Sequence, residues 1–184
     1  MSSDTDTTTE VGIDGRLGWP ISGAIGGAIG ALAFGLLVWL VDPAVIETTI
    51  PGAYGLESTG LVGWAIQLVH GVVLGLLFAF VVTRQSILGV LRTSVETDVL
   101  ARTSLAARLA AAGFVFGLAV WAVLPVIVLP VVAGVIGAEQ AAEFPGLAAE
   151  GLVGHLLFGT VLGVVFALTT DLSGRTSKDV LEDS

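Results

Sequence analysis

His70 and His155 are the only two histidines in this chain, and each sits inside a long apolar run beside one other polar side chain, Gln67 before His70 and Thr160 after His155. Imidazole can ligate a haem iron or carry a proton near neutral pH. Two histidines on related helices, facing one interior, could hold a haem b between axial nitrogens and make the chain an electron carrier. The alternative is a hydrogen-bonded interior pair or triad of Gln67, His70 and His155, each bond contributing about 0.6 to 2 kcal/mol in lipid. Other chemistry is poorly supplied. The apolar runs hold no Asp, Glu, Lys or Arg at membrane depth, whereas ion-coupled transporters and pumps keep an ionisable group there, and a retinal Schiff base needs a membrane lysine. With no cysteine there is no thiolate for zinc, iron–sulfur or disulfide. No metal-ligand spacing, phosphate-binding glycine loop or Ser, His and acid grouping appears. These absences point to a protein that is not an enzyme and needs no cofactor, with haem as the alternative.

The elements that position these residues are membrane spans. Of 184 residues, 54% are hydrophobic and only 12% charged, about half the charged content of ordinary soluble domains. Apolar residues gather at 20–41, 61–83, 105–124 (or as far as 130) and 147–170. Each run matches the ~20 residues that cross a hydrocarbon core, where a helix satisfies its own backbone. The expected fold is all-α, a polytopic four-helix bundle in contact with the lipid bilayer.

An internal repeat organises the bundle. Phe34-Gly35-Leu36-Leu37-Val38-Trp39 recurs as Phe116-Gly117-Leu118-Ala119-Val120-Trp121, an offset of 82, and Gly71-Val72-Val73-Leu74-Gly75 recurs as Gly159-Thr160-Val161-Leu162-Gly163, an offset of 88. Each unit has two spans, so both copies enter from the same side and are parallel repeats about an axis near the membrane normal. In this register His155 falls opposite Gln67, which leaves the two histidines one turn, ~4.5 Å, apart in height. Small residues recur every fourth position: Gly23, Gly27, Ala31 and Gly35; Gly71, Gly75 and Ala79; Gly113 and Gly117; Gly159, Gly163 and Ala167. Such columns let helices approach closely in lipid. Gly26 and Gly30 lie beside the first column and offer a second contact surface, a dimerisation face or a space for a flat ligand.

Pro43 with Pro51, and Pro125 with Pro130, end the first and third spans, since proline removes a backbone donor and clashes with the preceding turn. The segment 126–138, with its counterpart 44–54, is alternatively a cap or re-entrant piece. Trp39 and Trp121 sit at equivalent boundary positions, as interfacial indoles do, and Trp19 at the opposite boundary.

Charge sets orientation. All seven basic residues, Arg16, Arg84, Arg92, Arg102, Arg108, Arg175 and Lys178, fall outside the loops 42–60 and 131–146, which carry Asp42, Glu47, Glu57, Glu139 and Glu143 instead. By the positive-inside rule both termini are cytoplasmic in the cell membrane. The domains are an acidic tail at 1–19, a first repeat at 20–83, a cytoplasmic loop at 84–104, a second repeat at 105–170 and an acidic tail at 171–184. A net charge of −9 with a single lysine suits a salt-rich, halophilic archaeal cytoplasm and argues against a nucleic-acid partner.

At His155-Leu156-Leu157-Phe158-Gly159-Thr160-Val161-Leu162-Gly163 and Leu68-Val69-His70-Gly71-Val72-Val73-Leu74-Gly75 the sequence resembles an uncharacterised family of small four-helix membrane proteins of archaea and bacteria. The resemblance covers about 20–170 and implies a fold and no mechanism. The reading is a structural or accessory subunit, a homodimer or part of a membrane protein complex, assembling through its glycine faces. Alternatives are the bis-histidine haem carrier and a passive channel or carrier for a small solute.

Overall fold

The computed structural model describes residues 18–84, 87, 104–123, 131, 134–135 and 148–170. Its long helices are α1 (Gly18–Val41), α3 (Gly60–Val82), α4 (Leu105–Val123) and α5 (Ala148–Thr169), with a π-helical turn (Val45–Thr49) and a short α2 (Ile50–Ala53) between α1 and α3. No strand is present among the described residues. The four long helices are apolar and long enough to cross a bilayer. This is a multi-pass integral membrane protein, and its spans fall within two residues of the apolar runs in the sequence.

Local chemistry sets the helix ends. The Thr59 hydroxyl accepts from the Val62 N–H (3.3 Å) at the start of α3, and the Ser104 hydroxyl accepts from the Ala107 N–H (3.3 Å) at the start of α4. Each satisfies one of the donors a first turn leaves open. At the far end of α3, the Thr83 hydroxyl donates to the Ala79 carbonyl (2.7 Å).

Close contact replaces hydrophobic drive between the helices. On α1 and α3 the paired positions are Gly27 with Gly75, Ala31 with Gly71, and Gly35 with Gln67; on α4 and α5 they are Leu109 with Gly163, Gly113 with Gly159, and Gly117 with His155. Every second pair follows from the first by adding 82 and 88, the offsets of the sequence repeat. A side chain at Gly71 or Gly159 would run into the facing backbone.

The other two edges of the bundle differ. Along α1 and α5, Gly26 receives Leu162, Gly30 receives Phe158, and Gly154 receives Phe34. The second surface at Gly26 and Gly30 is thus consumed inside the chain and is not a free dimerisation face. The equivalent edge, α4 against α3, is nearly parted. Adding 82 to Gly26 and Gly30 gives Arg108 and Ala112, so larger side chains stand on α4 where glycines stand on α1. Subtracting 88 from Phe158 and Leu162 gives His70 and Leu74. Gly26, Gly30, Phe158 and Leu162 are buried; Arg108, Ala112, His70 and Leu74 are half-buried. Phe78 bridges this edge towards the end where α1 begins and α5 finishes, its ring 5.4 Å from Phe116 of α4 and 5.7 Å from Phe166 of α5. The main core, Phe78, Val82, Leu109, Phe158, Leu162 and Phe166, lies towards that end.

At the other end the prolines do more than stop helices. Asp42 accepts from the Ala44 N–H (3.0 Å) and turns the chain into the π-helical cap. Ile46 is completely buried, its carbonyl seated where a side chain on Gly63 would stand, and the Trp39 indole N–H donates to Glu47 (3.2 Å). Gly55, at φ 65°, turns the chain back towards α3, a conformation that favours glycine. The segment 44–54 is therefore a cap lying on the first turns of α3. Most of its counterpart, 126–138, is outside the described residues. Gly63→Val should push this cap off α3 at a cost of about 1–3 kcal/mol. Hydrogen exchange should then rise at 45–54 and stay unchanged in the four spans; unchanged protection of the cap would show that Gly63 is not its seat.

Candidate functional site

Gln67, His70, His155 and Thr160 do not gather at one point. Thr160 is satisfied within its own helix, its hydroxyl donating to the Leu156 carbonyl (2.7 Å). Gln67 is buried on the α1 side of α3, its amide donating to the Ala31 carbonyl over 3.5 Å, and its Cγ lies in the space beside Gly35. His155 pairs its Nδ1 with the Gly151 carbonyl (2.7 Å), one turn earlier on α5, and its ring stands edge-on to Phe34 at 4.8 Å. His70 pairs its Nε2 with the Tyr54 hydroxyl at 2.5 Å.

The expected triad of Gln67, His70 and His155 is corrected by these partners, since each is bonded elsewhere. The reason is rotational. Gln67 lies on the α3 face that meets α1, whereas His70, three residues on, lies with Leu74 and Phe78 on the stripe turned to α4. No contact joins His70 to His155 among the described residues. Ligation of a haem through His70 Nε2 would require the Tyr54 hydroxyl to leave it.

Gly71, Gly75, Gly113, Gly117, Gly159 and Gly163 are buried at close helix contacts. Tyr54 is the site residue that sequence reasoning missed. It is the only tyrosine of the chain, in a segment read as a terminated helix or cap, and nothing in that segment's spacing couples it to a residue 16 positions later. Burial pushes its phenol above the ordinary tyrosine range, so it keeps its proton at neutral pH.

Tyr54 and His70 thus form a polar pair that joins the cap to α3. No protein-family model, curated protein or solved structure matches the chain.

His70 is the eleventh of the 23 residues of α3, about 15 Å from the helix start at ~1.5 Å per residue. Side chains lean towards a helix N-terminus, which carries the imidazole towards the cap and lets Tyr54 reach it. Their rings are 5.6 Å apart and tilted by 44°. Among the described residues there is no group of three or more His, Cys, Asp or Glu side chains able to hold a metal ion. The site is a hydrogen-bonding pair in an apolar setting, able to recognise a polar atom.

Proposed function

We propose that this chain is a non-enzymatic structural or accessory subunit of the cell membrane, built from two copies of a helical hairpin, with both termini in the cytoplasm and the cap outside. The observation that carries this reading is how its polar and small residues are spent. His155 and Thr160 bond to carbonyls of their own helix, Gln67 bonds to the Ala31 carbonyl of α1, and the glycine columns lock helices of the same chain. What remains outward is a shell of large apolar side chains, among them Leu36, Leu40, Val73, Leu77, Phe114, Val115, Leu118 and Leu168. That surface suits lipid and apolar protein partners. With the glycines engaged internally, assembly with a partner proceeds through these outer faces.

Purification of the tagged chain from its own membranes in mild detergent tests the reading. A defined membrane protein should co-purify in fixed stoichiometry, and the sample should be colourless. A visible Soret band lost in both His70→Leu and His155→Leu would overturn it in favour of the haem carrier, and a chain that purifies alone would remove the subunit role.

A further inference from the structure

We infer that the outward face at the end of α3 holds an anionic phospholipid, its headgroup phosphate on the Arg84 guanidinium and an acyl chain along Phe80, Leu77 and Val73. This is independent of the subunit role above.

The first argument is placement. Val73, Leu77 and Phe80 are exposed large apolar side chains spaced four and three residues apart, so they form one outward stripe of α3. The Arg84 guanidinium continues that stripe, 3.7 Å from the centre of the Phe80 ring. It is therefore held on the side of the bundle that faces lipid, where the hydrocarbon core gives way to headgroups.

The second argument concerns donors. A guanidinium has five N–H donors around its edge and can stack its face on an aromatic ring at the same time. Among the described residues, Arg84 side-chain donors meet no acceptor. The end of α3 does not call on them either: the Ala79 and Phe80 carbonyls accept from the Thr83 hydroxyl, and the Val81 carbonyl accepts from the Arg84 backbone N–H. A phosphate, with two oxygens for a forked pair of N–H groups, matches what is left.

The third argument is the repeat. Phe78 and Ala79 recur 88 residues later as Phe166 and Ala167, buried in both copies, whereas Phe80 and Arg84 fall on Leu168 and Leu172. Leu168 is exposed, as Phe80 is. The hairpin fold thus needs no arginine over an aromatic at this point, and one copy alone carries the pair. Charge selects the lipid. The stretch from Arg84 to Arg108 also holds Arg92 and Arg102 against only Glu96 and Asp98, a net positive segment in a chain of net charge −9. An anionic headgroup is attracted here and repelled by the acidic remainder.

The test places the full chain in nanodiscs of equal phosphatidylglycerol and phosphatidylcholine, moves it to mild detergent and counts retained lipids by native mass spectrometry. Phosphatidylglycerol should be retained in preference. Arg84→Ala should lower that preference about fivefold, the effect of one arginine at a bilayer surface. Phe80→Leu, which installs the residue found at the equivalent Leu168, should lower it by a smaller factor and leave the unfolding midpoint unchanged. Arg175→Ala removes the same charge from the same proposed side and should change nothing. Equal retention of the two lipids, unchanged preference in Arg84→Ala, or an equal loss in Arg175→Ala would overturn the proposal. Displacement of the lipid by millimolar inorganic phosphate would overturn the choice of a lipid as the source of the phosphate.

Discussion

Gly71→Leu is expected to lower the stability of the bundle in detergent by about 3 kcal/mol or more, and Gly159→Leu by a similar amount, read as a shift in the midpoint of unfolding. A side chain at Gly71 would meet the Ala31 methyl and the Gly27 carbonyl, and one at Gly159 would meet the Gly113 carbonyl and the backbone of Gly117. Overpacking ordinarily costs 1–3 kcal/mol because flexible side chains move aside. Here the obstacle is backbone, so the helices themselves must separate, and in lipid no hydrophobic force restores the lost packing. Gly52→Ala is the control: the site has nothing within 4 Å of an added methyl and should stay within about 0.5 kcal/mol of the parent. Equal stability of Gly71→Leu and the control would show that the column faces lipid. A loss in Gly71→Leu with none in Gly159→Leu would show that the two hairpins are not equivalent.

The second large effect is all-or-none. Protease sites at either terminus or beside Arg92 should be protected in intact cells, while sites beside Glu57 or Glu143 should be cut. The basis is that each of the seven cationic residues lies on one proposed side, and translocating such residues is disfavoured when they adjoin a span. At the end of α3 proposed to be inside, the Arg84 guanidinium sits 3.7 Å from the centre of the Phe80 ring, a cation–π contact. Cleavage beside Arg92 from outside would reverse the topology and with it the assignment of the cap to the exterior.

The spans were legible because a bilayer demands about 20 apolar residues in one piece and four such runs stand in the sequence. Gly71, Gly75, Gly159 and Gly163 were legible for a related reason, since a four-residue spacing places small residues on one stripe of a helix. Their partners were less so: Gly26 and Gly30 read as a second contact surface, yet nothing in their spacing says that α5 would fill it from the same chain. Pro43 and Pro51 announce where a helix cannot continue and leave open whether the next residues wander or fold back. Ile46 settles that by packing its carbonyl into Gly63, a contact with no periodic signature. Tyr54 and His70 were hidden for the same reason, one in a connection and one in a span, joined by the path of the chain alone.

The close edge between α1 and α5 has a consequence for how the protein is made. Gly26 and Gly30 leave the ribosome early, and the Phe158 and Leu162 that cover them leave more than 120 residues later. Through that interval the first hairpin stands in the membrane with a ridge of bare backbone open to any passing helix. A long-range pairing of this kind is slow and exposed to misassembly. Until α5 is made, Gly26 and Gly30 lack the Leu162 and Phe158 side chains that cover them in the folded chain.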